Sequence, residues 1–384
     1  MVRLIFILFY IISFSCCVQS TKTLPEEIGQ IMRKYQCVGV SVVVVKNNNI
    51  VYKNILGYNP DYTDTTLRKP IPDNGVYVIA SISKTFVSTA IMQLVEKKKL
   101  KLDDDVNNYL SFKVRNPRYP DFPITIRMLL CHRSSLNDSQ YDWTLRQINP
   151  KTGKRWKECY NDYPPGEDYK YCNLGYSLLG AIIENITGER FYDYVEKHIT
   201  KPLGLNASYN LTKIDSNLLV KALNYDSDKK IFKKDNAIYN YSYFEKKLKD
   251  YQLGYTVASF SPTGGVKISA IDLAKYMIMH MNDGKYDGKR ILSRKSELEM
   301  RKPQMGNPVY GLAFSHYKGR VKGVELDGMV GYAHGVHSSM LFNPKEKYGF
   351  IVICNGCTSG GPDGQKLNTE IIQKLYKYII KNGN

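Results

Sequence analysis

The sequence lacks a second long apolar run. Its single run, residues 4–14, follows Arg3 and precedes small and polar residues that end at Ser20. A membrane-spanning helix needs about 20 consecutive apolar residues, so this run is too short for a comfortable span. A basic residue, a short apolar segment and small residues are typical of a secretory signal peptide. We therefore predict a signal peptide at residues 1–20, with an uncleaved anchor as the minor alternative.

Export would place the chain outside the cell or in the lumen of the secretory pathway, and we expect no transmembrane span in the mature chain. Five Asn-x-Ser/Thr triplets fit this location, and each is a candidate glycosylation site. They begin at Asn137, Asn185, Asn206, Asn210 and Asn240.

The sequence also lacks a second cysteine pair at metal-binding spacing. Of its eight cysteines, Cys16 and Cys17 fall in the predicted signal peptide, and only Cys354 and Cys357 form a CxxC pair. A structural zinc site takes four ligands, and no second pair lies at finger spacing. The pattern favours structural cysteines or disulfides, with the pairing left open. We predict no metal and no other cofactor.

Acidic residues are few relative to basic ones. The chain has 54 Lys and Arg against 36 Asp and Glu, for a formal net charge of +18. Such an excess can attract nucleic acid or another anionic polymer, and an extracellular polymer binder is one hypothesis. The basic residues are scattered in short runs such as 97–99 and 246–249, without a nucleic-acid-binding motif. A solvated lysine-rich surface is the simpler interpretation, and we expect no nucleic acid partner.

Hydrophobic patterns divide the mature chain into β-rich ends and a helical centre. The predicted strands are residues 38–46, 50–58, 309–316, 335–342 and 348–354, and the predicted helices are residues 25–35, 175–186, 191–199, 270–281 and 367–380. Strands from both ends can join one antiparallel sheet flanked by the terminal helices. The predicted fold class is α+β, in one domain at residues 21–384. Its α/β lobe comprises about 21–100 and 256–384, and an inserted, mainly helical lobe comprises about 101–255.

The segment SISKTF, which begins at Ser81, places a serine three residues before Lys84. Apolar residues recur at helical spacing from Phe86 to Val95, which predicts a half-buried helix with Ser81 in its first turn. Residues i and i+3 share a helical face, and the helix N-terminus places N–H groups near the serine oxygen. Serine becomes a nucleophile when a base takes its proton, and burial can lower a lysine pKa enough for that role. The alternative is a helix cap followed by a solvated lysine.

The Ser-x-x-Lys pattern alone is weak, because it occurs three times. Ser227 begins one copy in a charged polar loop, and Ser315 begins another at the end of a predicted strand, where i and i+3 face opposite sides. Only Ser81 opens a helix with an apolar face.

A second motif, YCN, contains Tyr171 and Asn173. A phenol near an ammonium group ionises more easily, and an amide can both donate to and accept from a substrate. The Tyr-x-Asn triplet at Tyr52 shows how common this pattern is, and an ordinary loop tyrosine is the alternative.

Several segments, taken in order, resemble the serine β-lactamase-related family of class C β-lactamases, D-alanyl-D-alanine carboxypeptidases and related esterases. The resemblance covers nearly the whole mature chain and implies a β-lactamase/transpeptidase-like fold. It implies Ser81 as the acylated nucleophile, Lys84 in the charge network, Tyr171 as general base and later acid, and Asn173 as a substrate-orienting residue. The segments are VIASISKTF, IMQLVEKKKLKLDDDVNNYL, ITIRMLLCHRSSL, YKYCNLGYSLLGAIIENITG, KPLGL and SPTGGVKISAIDLAKYM.

The family's third motif, Lys-Thr-Gly or His-x-Gly, corresponds here to Met329, Val330 and Gly331. The resemblance implies that Gly331 allows close backbone approach and that the N–H groups of Ser81 and Tyr332 form the oxyanion hole. Met329 replaces the cationic or imidazole residue, which argues against recognition of β-lactams or D-Ala-D-Ala.

Two nearby histidines, His334 and His337, are candidates to replace the missing side chain, and we assign His334 to substrate binding. The alternative is that both are surface or strand-packed residues.

The sequence thus predicts a secreted serine hydrolase that acts on a small-molecule or peptide-like substrate with an ester or amide carbonyl, through an acyl-enzyme on Ser81. The alternative hypothesis, motivated by Met329, is a catalytically impaired family member that acts as a binding or structural protein.

Overall fold

The structure is a computed structural model that describes residues 22–60, 68–141, 143–235 and 237–382. The predicted signal peptide lies outside the described residues. The helices are α1 Leu24–Lys34, α2 Ser83–Glu96, α3 Ile126–Leu130, α4 Asn173–Thr187, α5 Phe191–Val195, α6 Tyr241–Lys249, α7 Ala270–Met281, α8 Arg294–Arg301 and α9 Gly361–Leu375. The strands are β1 Gly39–Lys46, β2 Asn49–Pro60, β3 Arg68–Pro70, β4 Val76–Val78, β5 Ala207–Ser208, β6 Leu223–Asp226, β7 Ile231–Lys234, β8 Lys267–Ser269, β9 Lys285–Tyr286, β10 Lys289–Arg290, β11 Ser315–Val321, β12 Val324–Ala333, β13 Val336–Asn343 and β14 Tyr348–Cys354.

The main sheet is antiparallel and joins the two ends of the chain. Its seven strands lie in the order β11-β12-β13-β14-β1-β2-β3. In its centre β1 pairs with β14, with Val42 opposite Val352. Helices α1 and α9 pack on one face of the sheet. Helix α7 packs on the other face, where it forms part of the main hydrophobic core. The predicted α+β class, with an antiparallel sheet and terminal helices, is confirmed.

The local sequence explains why the central layer forms. Strand β1, with the sequence GVSVVVVK, is buried along seven of its eight residues. A nearly continuous run of β-branched residues suits a strand that is covered on both faces. Helix α1 instead buries one side, through Leu24, Ile28, Ile31 and Met32, and a capping box between Thr23 and Glu26 begins it.

Helix α2 is more deeply buried than its sequence predicts. We expected a half-buried helix, but every residue from Ser83 to Leu94 is buried. Two of its serines bond to distant backbone: the Ser88 hydroxyl donates to the Leu312 carbonyl, and the Ser83 hydroxyl accepts from the Val266 N–H, each at 3.0 Å. The helix is buried all round because both the sheet lobe and helix α4 pack against it.

In the C-terminal third, one predicted strand was wrong and one strand was missed. The segment predicted as a strand at 309–316 is mostly irregular, and β11 begins only at Ser315. Strand β12 was not predicted, because Gly328 and Gly331 interrupt its alternation of apolar residues. Pairing with β13 along its length holds β12 extended despite these glycines.

The candidate glycosylation sites differ in exposure. Asn210 is 2% exposed, and its side-chain oxygen accepts the Thr212 N–H at 3.1 Å. Asn137 is half-buried, while Asn185, Asn206 and Asn240 are exposed. Glycosylation therefore stays a prediction, with Asn210 the least accessible of the five. Across the described ranges, no helix combines the length and the apolar character needed to cross a bilayer.

We expect oxidation to join Cys37 to Cys354. Their sulfur atoms lie 3.2 Å apart although 317 positions separate the residues, and closing so long a loop restricts the unfolded chain. Incubation with oxidised glutathione should remove two hydrogens, form this disulfide and raise the Tm. Peptide mapping under non-reducing conditions checks the pairing, and Cys37→Ser should abolish the rise. A Cys354–Cys357 disulfide in its place would contradict the prediction.

We expect Gly331→Ala to destabilise the protein. A methyl group there would lie 2.4 Å from the Ile79 carbonyl oxygen and 2.5 Å from the Ser338 hydroxyl, and such overpacking costs about 1–3 kcal/mol. Gly29→Ala in helix α1 is the matched control. Its nearest contact would be 3.6 Å, so we expect it to stabilise the helix by up to about 1 kcal/mol. Urea unfolding of both variants measures the difference, and equal stability would disprove the close approach.

Candidate active site

Ser81 lies in a short 3₁₀ turn, Ala80–Ile82, between β4 and α2. The residue before it, Ala80, has a φ of 48°. This value lies in the left-handed region, which residues other than glycine seldom adopt. The turn therefore holds Ser81 just ahead of α2 rather than within its first turn. Lys84 follows in the first turn of α2 and is fully buried.

Three side chains from separate parts of the chain meet at the Ser81 oxygen. The Tyr171 hydroxyl donates to it at 2.8 Å, and Lys84 Nζ lies 3.1 Å from it. Lys84 also donates to the Thr263 carbonyl at 2.7 Å. The arrangement places a hydroxyl, an amine and a phenol within proton-transfer distance of one another.

Burial changes the pKa values of the amine and the phenol in opposite directions. It lowers the pKa of Lys84 to about 7, against a smaller opposing effect of Asp138. It raises the pKa of Tyr171, although the hydrogen bond with Ser81 acts in the opposite direction. The expectation that the nearby ammonium would make the phenol easier to ionise is therefore wrong, because desolvation outweighs it. In the resting site, Lys84 is the better proton acceptor and Tyr171 is a neutral donor.

His132 supports the Tyr171 ring, and no sequence motif pointed to it. The two ring centres are 4.2 Å apart. His132 Nδ1 accepts the Cys172 N–H at 3.1 Å, so its proton is on Nε2, which lies 3.1 Å from the Tyr310 hydroxyl. Burial, and then the nearby Lys84, hold the His132 pKa well below its usual value. A neutral imidazole therefore positions the tyrosine without adding charge.

Asp138 orients Asn173 and was also missed. Its carboxylate accepts the Asn173 backbone N–H at 2.9 Å and the side-chain N–H at 2.8 Å. It also accepts the Leu174 N–H at 2.9 Å and so satisfies the first turn of α4. The residue that caps this helix lies 35 positions away, so no local sequence pattern reveals it.

Strand β12 passes directly beside the nucleophile turn. Its pairing with β11 ends at Gly328, and a methyl group on Gly331 would lie 3.0 Å from the Ala80 Cβ. Tyr332 comes next in the chain and is 46% exposed. Met329 is 4% exposed and packs in the main core. The position expected to hold a cation thus holds a buried thioether.

The two candidate histidines have different environments. His337 is 1% exposed, stacks on the Tyr332 ring, and lies against Gly364 at the start of α9. The suggestion that His337 replaces the missing cation is therefore wrong, because its strand position turns it toward α9. His334 lines a cavity near the nucleophile, with its Nδ1 2.7 Å from a carboxylate oxygen of Asp235.

That cavity has a volume of about 360 Å³ and adjoins the nucleophile turn. Gly264, in its wall, lies against Ala80, where an added methyl group would be 3.6 Å from the backbone. The carbonyl of the preceding residue, Thr263, binds Lys84. The cavity therefore lies next to the turn that carries Ser81. In the part of the chain that the structure describes, no group of His, Cys, Asp or Glu is arranged to hold a metal ion.

Comparisons with known proteins identify relatives of this chain. The family model described as Beta-lactamase matches residues 24–374. The protein flp of Staphylococcus aureus strain MW2 is 24% identical over 362 residues, which cover 91% of this chain and 63% of that protein. Penicillin-binding protein 4* of Bacillus subtilis is 31% identical over 193 residues, which cover 48% of this chain and 40% of that protein. The chain thus spans less than two thirds of the length of these curated relatives.

Solved structures show the same fold. An octameric penicillin-binding protein homologue from Pyrococcus abyssi aligns with a TM-score of 0.70 and 26% identity, covering 94% of this chain and 77% of that one. The D-amino acid amidase of Ochrobactrum anthropi, in complex with D-phenylalanine, aligns with a TM-score of 0.68 and 20% identity, covering 94% and 99%. The family match covers most of the chain, and these folds agree with it, so the chain belongs to the beta-lactamase family.

Proposed function

We propose that this protein is a serine hydrolase that cleaves an ester or amide carbonyl through an acyl-enzyme on Ser81. The observation that carries the proposal is the position of the Ser81 oxygen, 3.1 Å from a buried amine and 2.8 Å from a buried phenol. A helix cap does not need a desolvated lysine. Burying an amine at a cost in desolvation is expected where a base must work near neutral pH.

Acylation begins with proton transfer from the Ser81 hydroxyl to the neutral amine of Lys84. The oxygen attacks the substrate carbonyl, and the N–H groups of Ser81 and Tyr332 stabilise the oxyanion. As the bond to the leaving group breaks, Tyr171 donates its proton to that group and recovers one from the Lys84 ammonium. The net change is one ester or amide bond broken and one acyl–serine bond formed.

Deacylation follows the same path with water in place of Ser81. The Lys84 amine, with Tyr171, takes a proton from water, the hydroxide attacks the acyl carbon, and the Ser81 oxygen leaves and is reprotonated. His132 and Asp138 act as positioning residues, because they hold Tyr171 and Asn173 and do not reach the reacting atoms. Asn173 orients the substrate amide or carbonyl.

Peptide-like amides and esters are the preferred substrates. The structural relatives include a D-amino acid amidase and a D-stereospecific amidohydrolase, which supports an amide or ester carbonyl. A cation at the Met329 position would be needed for the usual carboxylate contact, so we place β-lactams below simpler esters and amides. The residues at 1–20 support a secreted protein or one in the secretory pathway lumen.

We expect a fluorophosphonate probe to label Ser81. The probe reacts with activated serines, and Ser81→Ala should remove all labelling, as measured by intact mass and peptide mapping. The matched controls are the other two Ser-x-x-Lys serines: Ser227→Ala, in the turn after β6, and Ser315→Ala, at the start of β11, should label fully. Labelling that persists in folded Ser81→Ala would disprove the assignment. A folded wild-type protein that neither labels nor turns over an ester panel would support the impaired-member alternative.

We expect kcat/KM for a neutral ester to rise with pH through about 7. Lys84 acts as a base only when neutral, and burial lowers its pKa to about 7, so activity falls about tenfold per pH unit below that value. Lys84→Arg keeps the charge but cannot lose its proton, and should reduce kcat/KM by about 10²–10⁴-fold. Lys53→Arg, at an exposed position in β2, is the matched control and should have no effect.

Tyr171→Phe distinguishes the two candidate bases. It keeps the ring that packs on His132 but removes the hydroxyl, so it should lower kcat/KM while the rise near pH 7 remains. Disappearance of that rise in Tyr171→Phe, with the rise retained in Lys84→Arg, would assign the base to the phenol.

A further inference from the structure

A second buried lysine, Lys267 in β8, lies outside the nucleophile cluster. Only 2% of its surface is exposed. Its Nζ donates to the Tyr209 carbonyl at 2.8 Å and lies 5.0 Å from the centre of the Phe244 ring. An ammonium group has three N–H donors, so one carbonyl and one ring face leave it incompletely satisfied.

Its positive charge is also unmatched by the protein. Within the described ranges no carboxylate forms an ion pair with Lys267, and burial alone lowers its pKa to about 7. His334, on the same cavity, differs because a carboxylate oxygen of Asp235 lies 2.7 Å from its Nδ1. A buried cation without a counter-ion is unfavourable unless an anion reaches it. Lys267 is therefore a candidate partner for an anion from outside the chain.

Lys267 is one of the residues that line the cavity next to the Ser81 turn. The rest of the wall is largely apolar and aromatic, and none of its described lining residues carries a carboxylate. The apolar side chains are Val78, Trp143, Ile238, Tyr243, Phe244 and Phe260. Such a surface suits an apolar group with one charged end.

The cavity wall also continues directly from the catalytic groups. Val78 lies three positions before Ser81, and Gly264 follows the residue whose carbonyl binds Lys84. Strand β12 provides no cation on its side of the nucleophile, because Met329 occupies that position. Lys267 is thus a basic residue in this cavity wall that the proposed mechanism does not use.

We propose that the cavity beside Ser81 binds a substrate group with an apolar body and a terminal carboxylate, and that Lys267 pairs with the carboxylate. The apolar body packs on the aromatic wall, and the anion supplies the missing counter-charge. Neutral analogues of equal size make the same apolar contacts with the wall, but they do not supply a counter-charge to Lys267. This inference names a substrate class and rests on the proposed hydrolase function, but binding alone can test it.

The test uses the full chain with Ser81→Ala, so that neither probe depends on turnover. Hydrocinnamate and hydrocinnamyl alcohol have the same apolar body and differ in the charged end. Isothermal titration at pH 6 should show that the acid binds at least tenfold more tightly than the alcohol. Adding Lys267→Gln, which keeps a donor for the Tyr209 carbonyl, should remove this preference and leave binding of the alcohol unchanged.

Further variants separate the effect of Lys267 from that of the other lysines. Lys289→Gln, at an exposed position in β10, should keep the preference and is the matched control. Lys84→Gln should also keep the preference for the acid over the alcohol. If Lys84→Gln loses this preference and Lys267→Gln retains it, the proposal is overturned.

Equal binding of acid and alcohol by Ser81→Ala would overturn the proposal too, and this comparison needs no change at Lys267. If Lys267→Gln fails to fold, Lys267→Met provides the same comparison. Fluorophosphonate labelling of Ser81, measured separately, shows whether hydrolase function fails independently.

Discussion

The candidate active site depends on the burial of one amine. Lys84 has no exposed surface, and its contacts with the Ser81 oxygen and the Thr263 carbonyl replace the water that a surface lysine would have. Desolvation makes the amine a base near neutral pH and makes Tyr171 a poor one. Both effects depend on the burial of the first turn of α2, which α4, α5 and α8 help to enclose.

Polar residues that never touch the reacting atoms keep this arrangement in place. His132 packs against the Tyr171 ring as a neutral imidazole, and Asp138 holds Asn173 and the first turn of α4. These contacts join loops of the helical lobe to helix α4, which begins at Asn173 of the YCN motif. The helical lobe therefore fixes the position of Tyr171 relative to Ser81.

The chain departs from the family's third motif, because Met329 occupies the position of the usual lysine or histidine. Met329 packs in the core, and Lys267, which has no carboxylate partner among the described residues, lines the adjoining cavity. In the proposed binding mode, the anionic group of the ligand lies at Lys267 rather than at the Met329 position. Electrostatic complementarity of this kind affects which substrates bind more than how the bond breaks.

The sequence by itself determined the elements with strong local patterns: helix α1, the β1–β2 hairpin, strand β14, helix α7, and the serine–lysine spacing that places both groups near the start of α2. The family resemblance connected these elements with Tyr171 and Asn173. Tertiary structure decided what depends on neighbours distant in the chain. Strand β12 forms through pairing despite its glycines, Asp138 caps a helix 35 positions away, and His337 turns toward α9. The proton affinities of Lys84 and Tyr171 were decided there as well, because a pKa follows from the solvent that packing excludes, and no local pattern records that exclusion.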